Sequence, residues 1–201
     1  MIHVVKLYII RHCKAEGQAP DAPLTPVGKI QANELAKWLC PFNIAYIFTS
    51  SYLRAVQTIE PFAVQNGLQV HQEPRFVERD LGPSVRPDYW DEVVRRSFKD
   101  PEFCPEKGES HQHALARAVQ GINDILRLRC TPAAIVTHGN LTAILLNYFD
   151  PHFHFKSFSQ LTNPDVYEVE LLDGCDARVT RVLYYDGISI RQVNNTTTNV
   201  S

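Results

Sequence analysis

The sequence predicts an α/β fold: a three-layer sandwich whose mostly parallel central sheet is covered by helices on both faces. Two observations carry that prediction. Apolar runs at residues 4–10, 44–48 and 133–136 each stop at a polar cluster, as strands buried on both faces do. Longer stretches of helical period separate them, and strands alternating with helices pair in parallel through crossovers. For 201 residues, one core and one domain are the default.

The run 4–10 is the first strand, closed by Arg11-His12-Cys13-Lys14. After a polar loop, Thr25 caps a helix whose first position is Pro26, where no amide donor is needed. Val27, Ile30, Leu35, Trp38 and Leu39 are expected on its buried face, and Pro41 is expected to help stop it. Residues 44–48 form the second strand. Ser50 or Ser51 is expected to cap a helix over 52–65, with a kink or early end at Pro61 and Gly67 as terminator. A short strand over 68–71 leads into Phe76-Val77-Glu78-Arg79-Asp80-Leu81-Gly82.

Between 83 and 108 the composition shifts to prolines, aromatics and basic groups. That segment reads as a cap or insertion, helical from 89 to 98. Ser110 caps a long helix to about Arg129, followed by strand 133–136 and a helix over 141–149. Two late strands, 166–172 and 178–185, joined through Asp173-Gly174, are expected to add an antiparallel edge. Residues 1–193 thus form one domain, and 194–201, without apolar pattern, a frayed tail.

A formal net charge of −2 creates no global field for nucleic acid or an anionic membrane, so neither is expected as a partner. No apolar run approaches the ~20 residues that cross a bilayer. The amino terminus lacks a secretory pattern, and the five cysteines are scattered without a CxxC pair. Both point to a reducing cytoplasm. His111 with His113, and His152 with His154, lack an obvious carboxylate partner, so neither a metal nor another cofactor is expected.

Arg11 and His12 stand at the carboxyl end of one strand, and His138 at the end of another. Open α/β sheets build their ligand sites at such ends. The placement predicts one site assembled from both ends of the chain. Arg54 falls in the first turn of the helix after Thr49-Ser50-Ser51, where a helix amino terminus already favours anions.

Several segments in order resemble the histidine phosphatase superfamily, the phosphoglycerate mutase-like group. They are Arg11-His12, then Leu24-Thr25-Pro26-Val27-Gly28-Lys29-Ile30-Gln31-Ala32, then Ser50-Ser51-Tyr52-Leu53-Arg54-Ala55-Val56-Gln57-Thr58, then Glu78 ahead of Gly82, and His138-Gly139. The resemblance implies that His12 is the phosphorylated nucleophile, with its other ring nitrogen donating to a backbone carbonyl. Arg11, Arg54 and His138 would bind the phosphoryl oxygens, and Glu78 would act as proton donor and then base, with Asp80 as its rival. Arg95 and Arg96 resemble an Arg-Arg-Ser-aromatic run of the mutases that helps hold a substrate carboxylate.

These roles fit phosphoryl transfer. A neutral imidazole is nucleophilic near pH 7, and the equatorial oxygens need positive or donating partners. The expected activity is metal-independent hydrolysis of a small anionic organic phosphate through a phosphohistidine. Two departures keep alternatives open. Cys13 stands where the family usually has glycine and is expected either to crowd the phosphate or to fill space. The loop 14–20 lacks the Ser and Asn that follow the motif in mutases. A 2,3-bisphosphoglycerate-dependent mutase and an inactive binding or regulatory module are the rival readings; oligomeric state is not encoded legibly.

Overall fold

The computed structural model describes residues 4–172 and 177–193. The first strand, β1, runs Val5–Arg11, and the helix Pro26–Leu39 (α1) follows the polar loop. Thr25 caps α1 as expected, its hydroxyl accepting from the Gly28 amide at 2.9 Å. A 3-10 turn through Pro41 ends it. The buried face of α1 is displaced from the expected one. Gly28, Gln31, Ala32, Leu35, Ala36 and Leu39 are buried, whereas Val27 is 45% and Ile30 67% exposed.

Strand β2 is Tyr46–Thr49 and helix α2 is Leu53–Asn66. Pro61 neither ends α2 nor stands near its end; the helix continues to a left-handed Gly67 with φ 63°. Losing one backbone bond is tolerated because Ile59, Phe62 and Ala63 stay buried on either side of the proline. Strand β3 is Val70–Gln72, and a 3-10 turn at Pro74–Phe76 leads to an irregular segment carrying Glu78. Helix α3, Trp90–Lys99, lies in the excursion between Gly82 and Gly108. The two ends of that excursion touch backbone to backbone: a Cβ on Gly82 would meet the Glu106 carbonyl at 2.3 Å. Helix α4, His111–Arg127, is capped by Ser110, which accepts from the His113 amide.

Strand β4 is Ala133–Thr137, followed directly by α5, Gly139–Phe149. A short helix α6, Phe155–Phe158, and the edge strand β7, Ile190–Gln192, have no counterpart among the sequence expectations. Strands β5, Asp165–Leu171, and β6, Ala177–Tyr185, match the two late strands. Their Asp173-Gly174 connection and the tail from 194 lie outside the described residues.

The sheet order is β3-β2-β4-β1-β5-β6-β7. Strands β3, β2, β4 and β1 pair in parallel, and β5, β6 and β7 extend the sheet in antiparallel fashion. Alternate residues of β1 serve opposite layers. Tyr8 and Ile10 pack with the apolar face of α1 and α2, and Leu7 and Ile9 pack with that of α4 and α5. Helices therefore cover both faces. Truncating a fully buried residue such as Ile9 to alanine would cost about 2–5 kcal/mol. Among the described residues, no helix is long and apolar enough to cross a membrane.

Candidate active site

Three parallel strands end side by side, and the site starts where they stop. The ladder extends one residue past β1, with the His12 amide donating to the Thr137 carbonyl at 2.9 Å. The Ser50 amide donates to the Val136 carbonyl in the same way. His12, Ser50 and His138 thus leave the sheet together. The rings of His12 and His138 meet edge to face with centroids 5.1 Å apart.

His12 is only 9% exposed. Its Nδ1 lies 2.6 Å from the Cys13 carbonyl, which can only accept, so Nδ1 carries the proton. Nε2 is therefore the lone pair, and it accepts from Arg54 Nε at 3.2 Å. Burial, opposed by the Cys13 carbonyl and aided by Arg54 and Arg11, lowers the ring's pKa to about 3. The imidazole is neutral throughout the physiological range. On the other side, Asn163 donates its amide to the His12 carbonyl at 2.6 Å, and Gln31 donates to the Asn163 carbonyl.

Arg54 is buried in the first turn of α2, and its guanidinium also donates to the Gln18 and Ala19 carbonyls at 3.1 and 2.8 Å. Arg11 donates to the Leu161 carbonyl at 3.0 Å while its Nε is buried without a partner. Both arginines have their pKa lowered by burial and raised by Glu78, so the carboxylate acts on both. His138 is fully buried, with Nε2 2.7 Å from Ser50 Oγ and Nδ1 unpartnered. Burial, with smaller contributions from His12, Arg54, Arg11 and Arg117, holds its pKa well below the ordinary value.

Glu78 caps α5 from a distance in sequence. Its carboxylate accepts from the Asn140 amide at 3.0 Å, the Leu141 amide at 2.9 Å and the Arg79 amide at 2.9 Å. His138, the residue at the cap position, makes no side-chain cap bond, so Glu78 supplies the anion that the helix end favours. Asp80 turns one oxygen back to the Gly82 amide at 2.7 Å.

Arg11, His12, Arg54 and Glu78 line one cavity of about 670 Å³. Asp80 lines it as well. Arg95 and Arg96 do not. Helix α3 turns Trp90, Asp91 and Val94 to the cavity; Arg95 pairs with Glu92 beside Phe155, and Arg96 stacks on Phe103. The helical period separates these faces, and the sequence pattern alone did not say which one looks inward. Cys13 is also absent from the lining. It packs in the core layer with Tyr8, Ile10 and Leu24, its amide held by Thr58, and burial pushes its thiol up to about 12. It fills space.

Sequence reasoning missed several residues here. Tyr52 lies against both the His138 ring and the Arg54 guanidinium, each at 5.0 Å. Asn163 joins from beyond α6, and Asn140 lines the cavity one residue after Gly139. Only Asn140 had a local signal, its place in the first turn after a strand exit. Among the described residues, no three His, Cys, Asp or Glu side chains gather as metal ligands.

The crevice at the carboxyl ends of the parallel strands brings His12, Arg11, Arg54 and Glu78 together, while His138 is fully buried and does not line the cavity. The chain belongs to the histidine phosphatase superfamily (branch 1), whose family model matches residues 7–183. It is 28% identical over 160 residues to the probable phosphoglycerate mutase GpmB of Proteus mirabilis, covering 72% of this chain and 74% of that protein. It is 27% identical over 137 residues to the fructose-2,6-bisphosphatase TIGAR of Xenopus tropicalis, spanning 61% of this chain and half of that one. The mycobacterial glucosyl-3-phosphoglycerate phosphatase has the same fold, with a TM-score of 0.73 at 21% identity over 89% of this chain and 98% of that chain.

Proposed function

We propose that the protein is a phosphatase that hydrolyses a small organic phosphate monoester through a phosphohistidine at His12. The observation that carries this reading is the deprotonated Nε2 of a buried, neutral imidazole set among Arg54, Arg11 and His138. In the first step Nε2 bonds to phosphorus as the ester P–O bond breaks, and Glu78, which takes up a proton from solvent as the anionic substrate binds, passes that proton to the departing oxygen. In the second, water bonds to phosphorus as the N–P bond breaks, and its proton returns to Glu78. Arg11 and Arg54 neutralise the equatorial oxygens. The relatives named as phosphatases support hydrolysis.

The likeness to GpmB favours a second reading, a phosphoglycerate mutase. The loop 14–20 counts against it, offering no Ser or Asn to the phosphate. An inactive binding module loses its main support, since Cys13 is in the core and not in the cavity. Phosphate release from p-nitrophenyl phosphate in EDTA tests all three. We expect turnover that falls by about a thousandfold or more in His12→Ala. Equal rates in the two proteins would sink the proposal, and isomerised phosphoglycerate outrunning free phosphate would select the mutase.

A further inference from the structure

Cys13 stands between two peptide planes, and each plane is pinned at both ends. In the first, the His12 carbonyl accepts from the Asn163 side-chain amide at 2.6 Å, and the Cys13 N–H donates to Thr58 Oγ1 at 2.9 Å. In the second, the Cys13 carbonyl faces His12 Nδ1 at 2.6 Å, and the Lys14 N–H donates to Gln31 Oε1 at 2.9 Å. Both peptides are trans. The N–H and C=O of a rigid trans peptide point to opposite sides, so holding the N–H fixes where the oxygen points. Gln31 thereby sets the place of the Cys13 oxygen, although it does not line the cavity.

The clamps come from separate elements. Gln31 belongs to α1, Thr58 to α2 and Asn163 to the segment ahead of β5. They are also tied to one another and to the arginine. Gln31 Nε2 donates to the Asn163 carbonyl at 2.8 Å, and Thr58 Oγ1 donates to the Arg54 carbonyl at 2.8 Å. Gln31 and Thr58 are both buried, and neither has a polar side-chain atom left unpartnered. What this scaffold controls is the imidazole proton. A carbonyl only accepts, so the Cys13 oxygen holds the proton on Nδ1 and leaves Nε2 as the lone pair. Without a fixed acceptor at Nδ1 the proton is free to move to Nε2, where it blocks attack on phosphorus.

We infer that Gln31 and Thr58 are positioning residues for the nucleophile: through the two peptide planes around Cys13 they fix the tautomer and the aim of His12. The inference rests on reading His12 as the phosphorylated residue, and it adds to that site two residues outside the cavity lining.

Kinetics and NMR of the ring nitrogens test it together. Gln31→Met removes both side-chain bonds at similar volume, and Thr58→Val removes the hydroxyl while keeping the branched shape. Each should lower kcat for p-nitrophenyl phosphate about tenfold or more, with KM and inhibition by inorganic phosphate within about twofold, because Arg11 and Arg54 are untouched. Thr58→Ser keeps the hydroxyl and should restore kcat to within about threefold. In the unsubstituted protein at neutral pH, the His12 signals, identified by their loss in His12→Ala, should show a protonated Nδ1 and a bare Nε2; Gln31→Met and Thr58→Val should show a mixture of tautomers. A role in stability alone would shift the urea midpoint and leave the tautomer where it was. An unchanged kcat in both variants overturns the inference, as does a kcat lost with the tautomer intact, or a Thr58→Ser protein as slow as Thr58→Val. If Gln31→Met does not fold, the Thr58 pair decides. Absence of turnover by the unsubstituted protein would refute the phosphatase reading, while the tautomer spectra still decide whether Gln31 and Thr58 hold the ring.

Discussion

Acidification from pH 7.5 to 5.5 is expected to cost the fold about 4 kcal/mol, through three buried histidines. His12 and His111 have pKa values lowered to about 3 and about 4 from an ordinary 6.5, and that of His138 lies well below it. Burial is the largest cause in each case. The native rings stay neutral where the unfolded ones take up a proton, so the unfolded state binds more protons and stability decreases as the pH is lowered. The loss begins near pH 6.5 and is complete only below about 3 for His12 and about 4 for His111. At pH 5.5 an unfolded histidine is about ten parts charged to one neutral, which favours unfolding by about 1.4 kcal/mol per ring.

Against a domain stability of about 5–15 kcal/mol, the effect is large. Urea unfolding followed by the fluorescence of Trp38 and Trp90 measures it; with a slope of about 2 kcal/mol per M, the midpoint should drop by about 2 M. His111 packs against Phe98, away from His12, so His111→Leu should remove about one third of the pH dependence. Equal unfolding free energies at pH 7.5 and 5.5 would refute the argument, and so would a His111→Leu protein with an unchanged pH slope.

Two further outcomes are expected. A Cβ on Gly139 would lie 3.0–3.2 Å from the Arg11 guanidinium, so Gly139→Ala should displace Arg11 and lower kcat/KM for p-nitrophenyl phosphate about tenfold. Unchanged kinetics would show that Arg11 is not at the phosphate. Asp165 is fully buried and held by Arg181 at 2.8 and 2.6 Å, so Arg181→Met should cost about 3–5 kcal/mol in urea, and adding Asp165→Asn should recover part of it; an equally stable single variant would contradict the pairing.

The legible parts of this molecule are those that local patterns encode. Strands β1 and β4 are short apolar runs, and each delivers its histidine at the residue where the run stops. Thr25, Ser110 and Gly67 cap helices because their chemistry suits one local conformation. The face of α1 was legible only in its period. Positions 28, 32, 35 and 39 keep the spacing expected for a buried stripe, but the stripe is set by the site and not by the largest apolar residues. Gly28 presses on the Lys14 carbonyl, and Gln31 accepts from the Lys14 amide while reaching Asn163. Those contacts turn Val27 and Ile30 to the surface.

The two ends of the cavity differ in legibility for the same reason. The end that holds His12 and Arg11 is built at strand exits, where a period of two and a polar stop locate a residue in space. Its other end depends on how the excursion docks, which is decided by the Arg79–Ser97 bond and the backbone contact of Gly82 with the segment ahead of Gly108. Neither contact leaves a periodic trace. The same holds for Asn163, whose bond to the His12 carbonyl spans 151 positions. A site residue recruited over that distance is specified by the assembled sheet, since β5 must pair against β1 before Asn163 can reach the loop. The strand-exit residues were therefore readable, whereas those recruited from far along the chain emerge only once the strands are paired.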